Sequence, residues 1–69
     1  MTSKELIMDL KVIRIKKGIS QEKLAKQIGV TRASITNWEK GTTYPSIDII
    51  LQVCDVLGVN LKIKEKNNG

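Results

Sequence analysis

The sequence contains no histidine and no phenylalanine, and it has one cysteine, one proline and only two aromatic residues. One cysteine excludes an internal disulfide and a zinc site built from several thiolates. Without histidine or a glycine-rich phosphate loop, and with no base placed near Ser34 or Ser46, nothing indicates a catalytic site. We therefore expect no enzymatic activity, metal or cofactor, and a core built from aliphatic side chains.

Long apolar runs are also lacking. The longest series of large aliphatic residues covers 49–51, which is far too short for a membrane-spanning helix. The charges of Lys4, Glu5, Asp9 and Lys11 interrupt the N-terminal stretch, whereas a signal peptide has a continuous apolar region. The sequence therefore predicts no membrane association and a cytoplasmic location.

Positive charge is abundant and unevenly placed. The 69 residues suffice for one small domain, and their net charge is +5. Residues 1–40 hold nine Lys or Arg and four acids, residues 41–58 hold two acids and no base, and residues 59–69 hold three bases and one acid. A basic region of this kind favours phosphate as a partner. The alternative is a solvated surface that keeps the protein soluble.

Helical periodicity predicts four helices, at about residues 4–17, 21–28, 32–40 and 47–57. Ser20, Thr31 and Ser46 are placed as N-caps of the last three, and a glycine follows each helix. The expected buried positions are Leu6, Leu10, Ile13, Leu24, Ala25, Ile28, Ile47, Ile50, Cys54 and Leu57. Cys54 is interpreted as a small buried hydrophobe, with redox sensing as the alternative.

The period changes after the fourth helix. Val59, Leu61 and Ile63 alternate with polar residues, which predicts a strand at 59–64, and residues 65–69 are expected to fray. The fold class is therefore all-α, with four helices and a short C-terminal strand, and a fifth helix as the alternative to the strand.

The second and third predicted helices are separated only by residues 29–31, which forces a steep crossing. Ala25 is small enough for close approach, and Gly29 accepts a positive φ. Ile35 and Trp38 share one face and fill the angle between the helices. This spacing is typical of a DNA-binding helix-turn-helix. Trp38 is interpreted as core, and stacking on a base is the alternative.

The other face of the third helix carries a stripe without acids. Arg32 can pair with guanine and Asn37 with adenine, while Ala33 and Thr36 can meet a thymine methyl or a nearby base edge. We expect these side chains to read bases in the major groove; a solvated polar face is the alternative. The residues expected to contact phosphate beside them are Gln21, Thr31, Lys40, Thr42, Thr43 and Tyr44.

The segments SQEKLAKQIGVTRASITNWEKG and PSIDIILQVCDVLGV resemble the phage repressor and Cro-like (XRE-type) helix-turn-helix family, and the resemblance covers about residues 10–59. It implies a four-helix or five-helix domain that binds operator DNA, usually as a homodimer, with residues 31–40 as the recognition helix. It also implies a phosphate anchor at Gln21 and an ion pair between Arg14 and Glu39; two independent surface charges are the alternative. The family's fifth helix is replaced here by VNLKIKEK.

The favoured function is a sequence-specific DNA-binding regulator, most often a repressor, which would be nucleoid-associated. An antitoxin with a toxin partner, a restriction-system controller protein and a protein-interaction module without DNA binding are the alternatives. A second apolar stripe on the fourth helix (Ile49, Val53, Val56) and one on the first (Met8, Val12, Ile15) indicate a protein partner.

The expected strand has no second strand to pair with. We therefore expect a homodimer in which two tails pair as an antiparallel ribbon, with Leu61 and Ile63 in one interface together with the stripe of the fourth helix (Ile49, Val53, Val56). The alternatives are a tail folded onto the first helix and a fifth helical turn.

Overall fold

Four α-helices make up the computed structural model, which describes residues 2–61. They are α1 (Ser3–Lys16), α2 (Gln21–Ile28), α3 (Arg32–Lys40) and α4 (Ile47–Leu57). Helices α1 and α2 each pack against both α3 and α4. The first helix begins and ends one residue earlier than the sequence predicts, and the other three have the expected bounds.

Each helix begins directly after a hydroxyl side chain. These hydroxyls accept a hydrogen bond from the backbone N–H three residues later, which satisfies a donor that has no partner within the helix. The bonds run from Glu5 N to Thr2, from Lys23 N to Ser20, from Ser34 N to Thr31 and from Ile49 N to Ser46, at 3.0–3.3 Å.

Gly29 ends α2 with φ 75° and ψ 33°, a left-handed conformation that other residues adopt only with strain. An added Cβ at Gly29 would have no neighbour within 4 Å, so the conformation, and not lack of space, is what favours glycine. Val30 N then donates to Ala25 O at 3.0 Å. The chain can therefore turn and begin α3 with only three residues between the two helices.

All four helices contribute to one aliphatic core. Ile35 on α3 and Leu57 on α4 are its most deeply buried side chains, each 1% exposed. The other buried hydrophobic residues are Ile7, Leu10, Leu24, Ala25, Ile28, Ile50, Val53 and Cys54. Trp38 is half-buried and packs against this core, which agrees with its interpretation as a structural residue.

The predicted face of α4 is wrong at two positions. Ile47, expected inside, is 60% exposed, and Val53, expected in an interface stripe, is 5% exposed. Ile49 and Val56 are half-buried against the core. Most positions of α4 are apolar, so periodicity alone does not determine which of them turn inward. Val53 therefore belongs to the core of its own chain and is unavailable to a partner.

The face of α1 is rotated slightly from the expected one. Leu10 is buried, but its buried neighbours are Ile7 and Arg14, while Leu6 and Ile13 are half-buried. On the opposite side, Met8, Val12 and Ile15 are all exposed, as expected; these three residues are called the α1 stripe below.

The described part of the predicted tail strand, residues 59–61, has no strand structure. Val59 N donates to Cys54 O at 2.8 Å, and both Val59 and Leu61 pack against the core. The remainder of the predicted strand, with Ile63, lies outside the described residues. Among residues 2–61, no helix has the length and apolar character needed to cross a membrane.

Candidate nucleic-acid interface

The outer face of α3 presents most of the predicted base-reading side chains to solvent. Arg32, Ala33 and Asn37 are exposed, and Thr36 is half-buried. Ile35 lies on the inner face and is 1% exposed, which fixes the rotation of the helix about its axis. The helix therefore offers a guanidinium, a methyl group and an amide on one accessible side.

The one acid of α3, Glu39, is held by an arginine of α1. Arg14 Nε lies 2.8 Å from Glu39 Oε2, and Arg14 Nη2 lies 2.9 Å from Glu39 Oε1. Only 10% and 8% of these two side chains are exposed. The ion pair implied by the resemblance is thus formed, with the bidentate geometry that suits a guanidinium and a carboxylate. It compensates the charge of Glu39, so that α3 exposes the cations Arg32 and Lys40 without an exposed acid.

Arg14 also fixes the start of α2. Its Nη1 donates to the backbone carbonyl of Ile19 at 2.7 Å, directly before the cap residue Ser20. One buried guanidinium therefore connects α1, the turn before α2 and the end of α3. The N-terminal end of α2, where free backbone N–H groups favour an anion, is therefore held in a fixed relation to α3.

Gln21, the expected phosphate anchor, lies between two side chains of α3. Its Nε2 donates to Glu39 Oε1 at 2.9 Å, and its Oε1 accepts from Thr36 Oγ1 at 3.0 Å. Sequence reasoning did not find these contacts, because they depend on how α2 and α3 cross. A primary amide nitrogen carries two hydrogens, so one N–H of Gln21 is left over after the bond to Glu39.

The remaining predicted phosphate contacts are all exposed. Thr31 uses its hydroxyl as the cap of α3, where it also lies 3.0 Å from the Ser34 hydroxyl. Beyond α3, Thr42 N donates to Asn37 O at 2.9 Å, which ties the following loop to the helix. Exposed polar side chains continue the outer face of α3 into this loop at Lys40, Thr42, Thr43 and Tyr44.

Cys54 is a buried free thiol, 3% exposed. Burial raises its pKa, because the apolar surroundings disfavour the thiolate. The reactive form is therefore rare at neutral pH, which fits a packing role. Across residues 2–61, no group of three or more Cys, Asp or Glu side chains is placed to hold a metal ion.

Known proteins resemble this chain in sequence and in fold. The family model described as helix-turn-helix matches residues 10–63. The chain is 36% identical over 53 residues to the uncharacterized HTH-type transcriptional regulator YgzD of Bacillus subtilis, covering 77% of this chain and 80% of that protein. It is 33% identical over 52 residues to the HTH-type transcriptional activator BcrR of Enterococcus faecalis, covering 75% of this chain but 26% of that protein.

Two solved structures have a similar fold. One is described as MDT Protein, with a TM-score of 0.83, covering 97% of this chain and 94% of that chain. The other is a complex of a HipB variant with an O2 20mer, with a TM-score of 0.82, covering 97% and 93%. Each is 22% identical in sequence, a level that shows the common fold alone.

Proposed function

The chain belongs to the helix-turn-helix family of phage repressor and Cro-like regulators, and from this we propose that it represses transcription by binding a near-palindromic operator as a homodimer. Membership makes it a DNA-binding regulator of transcription and not an enzyme. Repression would follow from steric occlusion of promoter DNA, and the place of action would be the cytoplasm, on the nucleoid.

The observation that carries the proposal is the exposed face of α3. Arg32 and Ala33 lie in its first turn, the end that enters the major groove in helix-turn-helix proteins, and Asn37 follows one turn later. Arg32 can pair with O6 and N7 of a guanine, and Asn37 with N6 and N7 of an adenine. Because Arg14 neutralises Glu39 (2.8 Å), this face would approach phosphate without repulsion from an exposed carboxylate.

Phosphate groups would be held on both sides of that face. On one side, Gln21 and the backbone N–H groups at the start of α2 would bind one phosphate. Thr31 would lie beside it at the start of α3. On the other side, the exposed residues Lys40, Thr42, Thr43 and Tyr44 would contact a second group of phosphates. These contacts set position and register, while the α3 side chains choose the sequence.

Dimer formation is supported by apolar side chains that the chain itself covers only in part. Ile49, Val56 and Leu61 are half-buried, and the sequence has a further apolar residue, Ile63, two positions after Leu61. Val53 has no part in this interface, because it is buried in the core. Pairing of two tails across a two-fold axis would place two recognition helices about one DNA turn apart, ~34 Å.

A selection from random DNA, followed by binding titrations at two salt concentrations, tests the proposal. We expect one enriched, near-palindromic sequence and an affinity that falls steeply with salt, because bound Lys and Arg release counterions from DNA. The matched competitor is a shuffled duplex of the same length and composition. Equal binding to both duplexes, or no binding at low salt, would contradict a sequence-specific regulator.

An antitoxin is a second candidate, favoured by the α1 stripe. Met8, Val12 and Ile15 are 43%, 46% and 56% exposed, and exposed apolar side chains that share one helix face can form part of a contact with a protein partner. Replacing all three with serine should leave operator binding intact but abolish protection against a toxin in the cell of origin. A triple variant that protects as well as the unchanged chain would exclude this candidate.

A further inference from the structure

Four side chains from three helices form one continuous series of hydrogen bonds that ends on the recognition helix. Arg14 donates to Glu39, Gln21 donates to Glu39 at 2.9 Å, and Thr36 donates to Gln21 at 3.0 Å. No buried side-chain N or O atom of residues 2–61 lacks a hydrogen-bond partner. The series connects Gln21, a proposed phosphate contact, to Thr36, a proposed base contact.

The direction of each bond in this series is determined by chemistry. Arg14 can only donate and the Glu39 carboxylate can only accept. Nε2 of Gln21 must therefore face Glu39, because a flipped amide would place two oxygens in contact. The amide oxygen of Gln21 then faces Thr36, and an amide oxygen can only accept. Thr36 must donate its single hydroxyl proton to Gln21, and that proton is no longer available to a base.

We infer that Thr36 has two separate tasks, an inference that rests on the proposed function. Its hydroxyl positions Gln21 for the phosphate contact by holding the amide with one N–H left over. Its hydroxyl can no longer donate to the DNA, so toward a thymine, whose major-groove edge carries the O4 acceptor and the 5-methyl group, Thr36 can offer only its methyl group. Thr36 thus selects thymine at one operator position by apolar contact.

Two conservative substitutions separate the tasks. Thr36→Val keeps a methyl group in place and removes the hydroxyl, whereas Thr36→Ser keeps the hydroxyl and removes the methyl group. The DNA probe is the selected operator with single thymines replaced by uracil, which pairs with adenine equally but lacks the 5-methyl group. For the unchanged chain we expect about a fourfold loss of affinity at one thymine position, the value of one buried methyl-sized contact.

The two variants should then behave in opposite ways. Thr36→Val should keep the thymine-to-uracil discrimination but bind all sequences more weakly. Thr36→Ser should lose the discrimination and bind the uracil operator about as well as the unchanged chain does. Gln21→Ala, added to each, should weaken binding less in the Thr36→Val background than in the Thr36→Ser background, because Gln21 is already poorly placed once the hydroxyl that holds its amide is gone.

Two measurements on the free chain act as controls. Melting temperatures establish that all variants are folded. NMR signals of the Gln21 side-chain amide should shift in Thr36→Val and stay in place in Thr36→Ser, independently of any DNA.

Discrimination that is lost in Thr36→Val or kept in Thr36→Ser would overturn the assignment of the methyl group. An equal effect of Gln21→Ala in both backgrounds would overturn the positioning of Gln21. If the unchanged chain prefers one operator but its affinity does not change when any single thymine is replaced by uracil, the inference about Thr36 is wrong and the proposed function stands. If the unchanged chain prefers no sequence at all, the proposed function fails, and the inference fails with it.

Discussion

The residues of the proposed interface fall into two sets, side chains that we propose to read bases and side chains that hold α3 in place. Arg32 and Asn37 project into solvent, whereas Arg14 and Glu39 are almost fully buried one layer below. The sequence indicated both sets. The polar face of the third predicted helix indicated Arg32 and Asn37, and the family resemblance implied the pair of Arg14 and Glu39. The sequence did not indicate that Gln21 contacts both Glu39 and Thr36, because that depends on the geometry between helices.

Replacing Arg32 tests base reading. Arg32→Ala should weaken binding to the preferred operator by about 1–3 kcal/mol and relax the preference at one base pair, since a bidentate contact is lost. Binding titrations against all four base pairs at each position would measure this. The control is Gln21→Ala, which should weaken binding to every sequence alike. A uniform loss for Arg32→Ala would mean that Arg32 contacts phosphate.

Replacing Glu39 tests the buried network. Glu39→Ala leaves the Arg14 charge without a partner in a nearly buried site, and we expect a loss of about 3–5 kcal/mol in the free energy of unfolding. Chemical denaturation would measure it. Glu22→Ala is the matched control, because its 3.7 Å bridge to Lys26 is largely exposed and contributes at most about 0.5 kcal/mol. Similar stabilities for the two variants would show that the Arg14–Glu39 pair contributes little to the free energy of unfolding.

Helices are the scale at which the sequence was most informative. Their ends depend on local chemistry, a hydroxyl that caps and a glycine that turns, so the predicted bounds differ from the observed ones only at α1. Which side of a helix is buried depends on how the helices pack against one another. In α1 and α4 apolar residues occur on nearly every side, so the pattern could not decide between Ile47 and Val53 or between Leu6 and Ile7. In α2, where the apolar residues are few, the three predicted core positions are all buried.

The turn between α2 and α3 yields a prediction about backbone conformation. Gly29→Val should destabilise the domain by about 1–2 kcal/mol, because a β-branched residue is strained at φ 75°. Gly29→Asn should cost less, since asparagine tolerates this region. Space is not the cause, because no atom lies within 4 Å of an added Cβ. Equal melting temperatures for the two variants would contradict this explanation.

The short turn also requires α2 to pass close to α3. Ala25 is 3% exposed and lies on the face of α2 that faces the core. Ala25→Leu should destabilise the domain by about 1–3 kcal/mol through overpacking. Lys26→Leu, at the neighbouring exposed position, is the control and should change stability little. A thermal melt of Ala25→Leu that matches the unchanged chain would argue against a close approach at this position.

At the scale of the whole molecule, a small domain leaves much apolar surface uncovered. A chain of this length buries only about 60% of the surface that it exposes when unfolded, so association is a natural source of further stability. The sequence correctly indicated exposed apolar residues on α1 but placed Val53 wrongly among those of α4. No pattern within one chain specifies which surface meets a second copy, because that choice depends on both surfaces at once.

Truncation of the tail tests the dimer. Because Val59 and Leu61 pack against the core, the chain should be cut after Leu61, which removes Ile63 and leaves these core contacts in place. If the tails pair across the two-fold axis, sedimentation should show a dimer for the full chain and a monomer for the truncated one at micromolar concentration. The truncated chain should keep its melting behaviour at low concentration and lose its preference for two half-sites over one.

Point variants on α4 locate the rest of that interface. Val56→Lys, at a half-buried position of the proposed interface, should weaken the dimer, whereas Leu51→Lys, at a position 50% exposed on another side of the helix, should leave the mass unchanged. If only Leu51→Lys weakened the dimer, the interface would have to lie on the exposed side of α4.

A truncated chain that stays fully dimeric would exclude the tail ribbon. Two half-sites one DNA turn apart are bound best by two linked recognition helices, so the operator should favour the dimer. A full chain that remains monomeric even on its operator would therefore exclude the dimer.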